Sequence, residues 1–203
     1  MKIICVGRNY VDHAKELSNP VPSQPLLFLK PDTAVLRDNQ DFYYPEFSKN
    51  IQHECELVYR ISREGKYIRP KFVRSYIDGI GLGIDFTARD LQAVAKEKGH
   101  PWTLAKMFNH SAPVSQMLDP DDYPNLQNLN FELKVNGEVK QKGATGDMIF
   151  PIEELVAFIT QYITVKKGDL IFTGTPAGVG SVQVNDRLEA SLEGKKLLDF
   201  YVR

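Results

Sequence analysis

Leu129, Phe131, Leu133 and Val135 alternate with polar residues and run directly into Asn136-Gly137. Alternation puts every second side chain on one face of a strand. Asn-Gly supplies the two left-handed residues of a tight hairpin turn. This stretch therefore demands an antiparallel hairpin whose apolar face must be covered by something else. A second hairpin is predicted from Leu188 to Leu192, Glu193-Gly194, and Lys196 to Val202. Apolar runs at residues 2–6, 26–29, 54–61 and 79–85 read as further strands. Two helices punctuate them. Pro151 opens one with an apolar stripe of Ile152, Leu155, Val156, Ile159 and Ile163. Thr87 caps another that runs through Leu91 and Val94 until Gly99 and Pro101 stop it. The Pro- and Asn-rich segments 18–25 and 118–126 are too short to be interdomain linkers. Hairpins mixed with non-alternating helices predict an α+β class with a mainly β core, not a doubly wound sheet. With 203 residues, the expectation is a single domain over residues 1–203.

Charge narrows the partners. Lys+Arg 25 against Asp+Glu 26 gives a formal net charge of -1, which argues against nucleic acid, since phosphate binders carry a basic excess. The first apolar run is too short for a signal peptide and Arg8 interrupts it. No run approaches the roughly 18 apolar residues of a membrane span. Cys5 and Cys55 sit within strand-like runs and read as reduced, buried thiols, so a cytoplasmic setting is expected.

The run His53-Glu54-Cys55-Glu56 sits in a predicted strand, so Glu54 and Glu56 share one face. Two adjacent carboxylates repel and call for a cation or a proton. They admit two readings, a solvated acidic face or a ligand pair. Gly79-Ile80-Gly81-Leu82-Gly83-Ile84-Asp85 adds a third acid at the end of a glycine-rich strand, where Asp85 can cap a helix or join the pair. Three carboxylates make a hard oxygen site suited to Mg²⁺ or Mn²⁺. His53 and Cys55 face the other way, which disfavours zinc.

Six stretches in register carry a resemblance: Val6-Gly7-Arg8-Asn9-Tyr10, Leu27-Phe28-Leu29-Lys30-Pro31, His53-Glu54-Cys55-Glu56-Leu57, Asp85-Phe86-Thr87-Ala88-Arg89-Asp90-Leu91-Gln92, Trp102-Thr103-Leu104-Ala105-Lys106, and Phe172-Thr173-Gly174-Thr175-Pro176-Ala177-Gly178-Val179-Gly180. Together they resemble the fumarylacetoacetate hydrolase family, in its small acylpyruvase and oxaloacetate decarboxylase branch. The resemblance implies a mixed β-roll or sandwich, a homodimer, and Mg²⁺ (or Mn²⁺) held by Glu54, Glu56 and Asp85.

The resemblance also assigns roles. Asn9 can cap a helix through Leu17, with His13 and Glu16 on one face at i,i+3. Alone, such a pair reads as a surface ion pair. In the family the matching segment is a lid carrying a His–Glu dyad that activates water. Lys106 is expected as a second cation beside the metal. Lys30 resembles an active-site lysine, although a solvated strand end fits it nearly as well. Gln92 is expected to reach a substrate carboxylate, or else to be a solvated helix residue. The Thr173–Pro176 loop is expected to offer backbone N–H groups and the Thr175 hydroxyl to substrate, or else to be a plain turn. Arg89 is read as a structural ion pair, and His100, His110 and Trp102 as packing or loop residues.

The implied reaction is metal-assisted cleavage of an acylpyruvate, a 2,4-dioxo acid, to pyruvate and a carboxylic acid. Oxaloacetate decarboxylation passes through the same enolate. Two rivals remain at this point. One is an isomerase or decarboxylase of 2-hydroxyhepta-2,4-diene-1,7-dioate; the other is a non-catalytic small-acid binding protein.

Overall fold

The computed structural model describes residues 1–11 and 22–203. They form an α+β fold dominated by sheets. A five-stranded sheet runs in the order Leu26–Lys30, Ile3–Gly7, Leu170–Phe172, Cys55–Ile61, Ile77–Ile84. Ile3–Gly7 and Leu170–Phe172 lie parallel and the other neighbours antiparallel. An antiparallel four-stranded sheet, ordered Glu138–Ala144, Asn130–Val135, Arg187–Leu192, Lys195–Tyr201, packs against it.

Both expected hairpins are present, and their turns are the ones the sequence demands. Asn136 and Gly137 have φ of 54° and 81°, and Glu193 and Gly194 have 48° and 76°. The apolar faces meet in one core: Phe131, Leu133, Leu188 and Ala190 from one sheet cluster with Leu57, Tyr59, Ile80 and Leu82 from the other. Val58 points the opposite way, into a smaller cluster with Ile3, Cys5 and Phe172. The strand Cys55–Ile61 is thus buried on both faces over most of its length, with its odd residues in the large core and Val58 in the small one. The helix Ile152–Tyr162 follows Pro151 and buries Ile152, Leu155, Val156 and Ile159, as its stripe predicts.

Two local expectations are corrected. Thr87 does not cap the next helix, which spans Arg89–Glu97 with Ala88 at its N-cap and no side-chain cap bond. Thr87 is held instead in a two-residue strand, Thr87–Ala88, paired with Ile51–His53. Its hydroxyl donates to the Asp85 carbonyl at 3.3 Å and accepts from Lys106 Nζ at 2.5 Å. Glu54, placed within a continuous strand by its sequence, sits in the break between Ile51–His53 and Cys55–Ile61.

Directly after Asp85, the fully buried Phe86 stacks on Phe42 at 4.1 Å and meets Phe200 edge-on at 6.4 Å. This aromatic cluster anchors the end of the strand that carries the acid. Phe86→Ala is expected to cost about 3–5 kcal/mol in urea unfolding; a loss of less than about 1 kcal/mol would contradict the anchoring role.

Candidate metal centre

Strand pairing brings the three acids together. Cys55 lies opposite Ile84 and Glu56 opposite Gly83 in the antiparallel ladder. One step further, the Asp85 N–H donates to the Glu54 carbonyl at 2.8 Å, so Asp85 lies across from Glu54. Glu56 is two residues along and therefore on the same face. Carboxylate oxygens of Glu54, Glu56 and Asp85 all fall within 4.8 Å of one another, and all three residues are buried.

Cations crowd the acids without balancing each one. Lys106 Nζ bonds Glu54 Oε2 at 2.8 Å and Asp85 Oδ2 at 2.7 Å. Burial opposes the Lys106 charge, but Asp85 and Glu54 outweigh it and hold the ammonium protonated well above the ordinary lysine range. Arg89 donates to Glu54 Oε1 at 2.5 Å, to Gln52 at 2.7 Å and to Gln92 Oε1 at 2.6 Å. Lys30 Nζ lies 2.8 Å from Asp85 Oδ1.

Glu56 differs from its two neighbours. Among the described residues it has no ion-pair partner, and its bond comes from the Gly174 N–H at 2.7 Å. Burial, then the charges of Asp85 and Glu54, push its carboxyl well above the usual range. Gly174 is required at this point. Its φ is 96°, and a side chain there would meet the Asn9 Cβ at 2.7 Å. Asn9, fully buried, ties down the same loop by donating to the Thr173 carbonyl at 2.8 Å.

The donor set fits a divalent cation. It offers three hard oxygen ligands, of which Glu56 lacks a counter-charge among the described residues. Asp85 Oδ1 is buried without an aligned hydrogen bond, because the nearby Lys30 ammonium is directed to four other oxygens. His53 turns away, with Nδ1 at 3.0 Å from Gln141 Oε1, which agrees with the argument against zinc.

The remaining expected residues are placed as follows. Gln92 and Thr175 line the cleft above the acids, as does Lys106. Arg89 holds Gln92 Oε1, which turns the Gln92 NH₂ outward as a donor. The Thr175 hydroxyl is committed, donating to the Cys55 carbonyl at 2.8 Å, so toward a ligand it can only accept. The loop's Gly174 N–H serves Glu56 rather than a substrate. Lys30 is 1% exposed and lies beneath Asp85, outside the cleft lining. Its ammonium bonds Phe86 O, Ser111 Oγ and the carbonyls of Ser111 and Lys106, so it supports the acid from below. His13 and Glu16 lie outside the described residues.

Sequence reading assigned no site role to Arg8, Phe28 or Lys96 and took Trp102 as a packing or loop residue, yet all four line the cleft. It also gave Arg89 a merely structural part. Arg8, directly after the strand Ile3–Gly7, has a left-handed φ of 60°. Loss of hydration and the charges of Arg89 and Arg8 lower the Lys96 ammonium below its ordinary range. That cationic wall suits an anionic ligand.

Comparison with known proteins identifies the family. The family profile described as fumarylacetoacetate (FAA) hydrolase C-terminal matches residues 2–202. The chain belongs to the fumarylacetoacetate hydrolase family. It is 44% identical over 200 residues to the mitochondrial oxaloacetate tautomerase FAHD1 of Rattus norvegicus, covering 98% of this chain and 90% of that protein. This likeness is consistent with the family's oxaloacetate-handling small branch. Among solved structures, the fumarylpyruvate hydrolase of Pseudomonas aeruginosa, in complex with Mn²⁺ and pyruvate, superposes with a TM-score of 0.94 at 32% identity, covering 100% of this chain and 89% of that one. The 2-hydroxyhepta-2,4-diene-1,7-dioate isomerase of Mycobacterium marinum gives 0.86 at 34% identity, covering 99% and 73%. The sheet architecture described above is that of the family's C-terminal domain. No helix among the described residues is long and apolar enough to cross a membrane.

Lys30 and Asp85 form an ion pair whose side chains are both 0% exposed. Lys30→Met would leave that carboxylate buried beside two others. The variant is expected to lose about 3–5 kcal/mol in urea unfolding. A loss of under about 1 kcal/mol would show that Lys30 does not support the acid.

Proposed function

We propose that this chain is a divalent-metal enzyme acting beside the keto group of a small 2-oxo acid, with oxaloacetate keto–enol interconversion as its leading activity. One observation carries the reading: a protonated, buried Lys106 sits against two members of a three-carboxylate cluster. Glu54, Glu56 and Asp85 would hold Mg²⁺ or Mn²⁺. When bound, the cation supplies Lewis acidity to the carboxylate and keto oxygens of a 2-oxo acid.

The chain's own residues provide the rest. Lys106 places a second positive charge where the keto oxygen gains negative charge as the adjacent carbon gives its proton to water in the cleft. Gln92, its amide fixed by Arg89, donates its NH₂ to a substrate carboxylate. Thr175 accepts a hydrogen bond at the cleft wall. Formal charge selects the substrate class. Glu54, Glu56 and Asp85 are offset in formal charge by Lys30, Arg89 and Lys106, so a bound divalent ion, together with Arg8 and Lys96 on the cleft wall, leaves a positive surplus that favours a dicarboxylate. The rat relative, an oxaloacetate tautomerase, supports the same choice.

Acylpyruvate hydrolysis is the second reading, favoured by His13-x-x-Glu16 in the sequence and by the likeness to a fumarylpyruvate hydrolase. In it, His13 and Glu16 activate the attacking water. Oxaloacetate decarboxylation needs only the chelate and the enolate, so one centre serves both. The diene-dioate isomerase reading shares this centre and keeps the likeness to the Mycobacterium marinum enzyme as its support. We further propose that residues 1–203 work as one catalytic domain in a homodimer. The cytoplasmic reading rests on Cys5 and Cys55, both free and buried, while the rat relative is mitochondrial.

Three measurements test the proposal. Glu56→Ala should abolish Mg²⁺ or Mn²⁺ binding and oxaloacetate turnover, as EDTA should in the unaltered enzyme; unchanged metal affinity by calorimetry would sink the triad. His13→Gln should lower acetylpyruvate cleavage by about 10²–10⁴-fold and spare oxaloacetate, whereas Lys106→Ala should damage both. Equal losses in His13→Gln would remove the water-activating role. Light scattering should report about twice the 23.0 kDa chain mass, and an active monomer would contradict the dimer.

A further inference from the structure

Cys55, between Glu54 and Glu56, has a backbone that is not satisfied by a neighbouring strand on one side. The antiparallel pairing of Leu170–Phe172 with Cys55–Ile61 ends at Phe172, which lies opposite Val58, and the Thr173 N–H reaches the Leu57 carbonyl. Beyond that point the chain leaves the sheet as the Thr173–Pro176 loop. Side chains continue the ladder. Gln141 Oε1 accepts from the Cys55 N–H at 2.9 Å, and Thr175 Oγ1 donates to the Cys55 carbonyl at 2.8 Å.

The two side chains are joined to each other. Gln141 Nε2 donates to Thr175 Oγ1 at 2.8 Å and to the Pro176 carbonyl at 3.0 Å. The Cys55 N–H can only donate, so the Gln141 oxygen must face it and the amide has one orientation. His53 Nδ1, 3.0 Å from the same oxygen, must then carry the proton. All four hydrogen-bonding positions of the amide are filled.

Gln141 comes from the other sheet, and its inward aim is built into the backbone. The register of Glu138–Ala144 against Asn130–Val135 slips between Val139 and Gln141, leaving Lys140 as the extra residue of a β-bulge. On a mostly exposed strand, Gln141 is 1% exposed. The loop beyond Pro176 rests on that bulge. Gly178 has φ of 95°, and a side chain there would meet the Lys140 carbonyl at 2.0 Å.

We propose that Gln141, through its bracket with Thr175 around Cys55, is a positioning residue that sets the spacing of Glu54 and Glu56 for metal binding. It touches neither metal nor substrate. The proposal rests on the metal-enzyme reading above and deepens it. Outer groups that orient ligands are worth about 10–100-fold in metal affinity.

The test is Mn²⁺ affinity by electron paramagnetic resonance without substrate, with thermal unfolding of each metal-free variant beside it. Gln141→Met and Thr175→Val should each weaken Mn²⁺ binding about 10–100-fold. Thr175→Ser, which keeps the hydroxyl, should bind like the unaltered protein. The double variant Gln141→Met/Thr175→Val should be no weaker than the weaker single one, because breaking either half opens the bracket. A folded Gln141→Met with unchanged Mn²⁺ affinity and only a lowered melting temperature would overturn the proposal and leave Gln141 a packing residue. Should Gln141→Met fail to fold, equal Mn²⁺ affinities in Thr175→Ser and Thr175→Val would overturn it instead. Absence of Mn²⁺ binding in the unaltered protein would sink the metal-enzyme reading and this inference with it.

Discussion

Three carboxylates whose oxygens lie within 4.8 Å of one another, in a buried place, repel strongly. At an effective dielectric of about 20, each ionised pair costs roughly 3 kcal/mol at that separation. The surrounding structure offsets this cost. Lys30 lies below Asp85, Lys106 bridges Asp85 and Glu54, Arg89 closes on Glu54, and the Gly174 N–H reaches Glu56. The balance is unequal, and Glu56 is left without a counter-charge among the described residues. A divalent cation removes both the repulsion and that inequality, which is why the cluster reads as a binding centre rather than as a stabilising network.

The groups that make this balance are far apart in the chain. The acids come from adjacent antiparallel strands, Lys30 from the edge strand of the same sheet, and Lys106 from the short helix Thr103–Lys106. Thr175 and Gly174 follow the central strand Leu170–Phe172, and Gln141 arrives from the second sheet. Each sheet must therefore be complete before the centre is. A fold dominated by such distant pairings forms slowly compared with one built from local contacts. The two hairpins are the local exceptions, and their left-handed turns at Asn136-Gly137 and Glu193-Gly194 fix the second sheet's register.

Those hairpins and the Ile152–Tyr162 helix were legible in the sequence because their signals are local: alternation, a turn pair, a stripe after proline. Glu54 and Glu56 were legible as a pair because a two-residue spacing on a strand is also a local geometry, whereas Asp85 joined them only through the family resemblance. What escaped depends on contacts between distant segments. Nothing near Lys30 indicates that it lies beneath Asp85 rather than at a solvated strand end. Thr87 carries a cap-forming side chain, yet pairing with Ile51–His53 claims its backbone and Lys106 its hydroxyl. Trp102 and Arg8 read as packing and motif residues until the helix Thr103–Lys106 and the strand Ile3–Gly7 bring them to the cleft. Gln141 sits among polar residues of a hairpin, and only the bulge at Lys140 turns it inward.

The central claim is that the carboxylate cluster with Lys106 stabilises the enolate of a 2-oxo acid. The most direct measurement is exchange of the C3 protons of oxaloacetate for deuterium, followed by proton nuclear magnetic resonance in heavy water. The metal-loaded enzyme is predicted to speed exchange well above the rate of the metal ion alone, and EDTA or Lys106→Ala should return it to background. Exchange that the enzyme does not accelerate, or acceleration that persists in EDTA, would contradict the account.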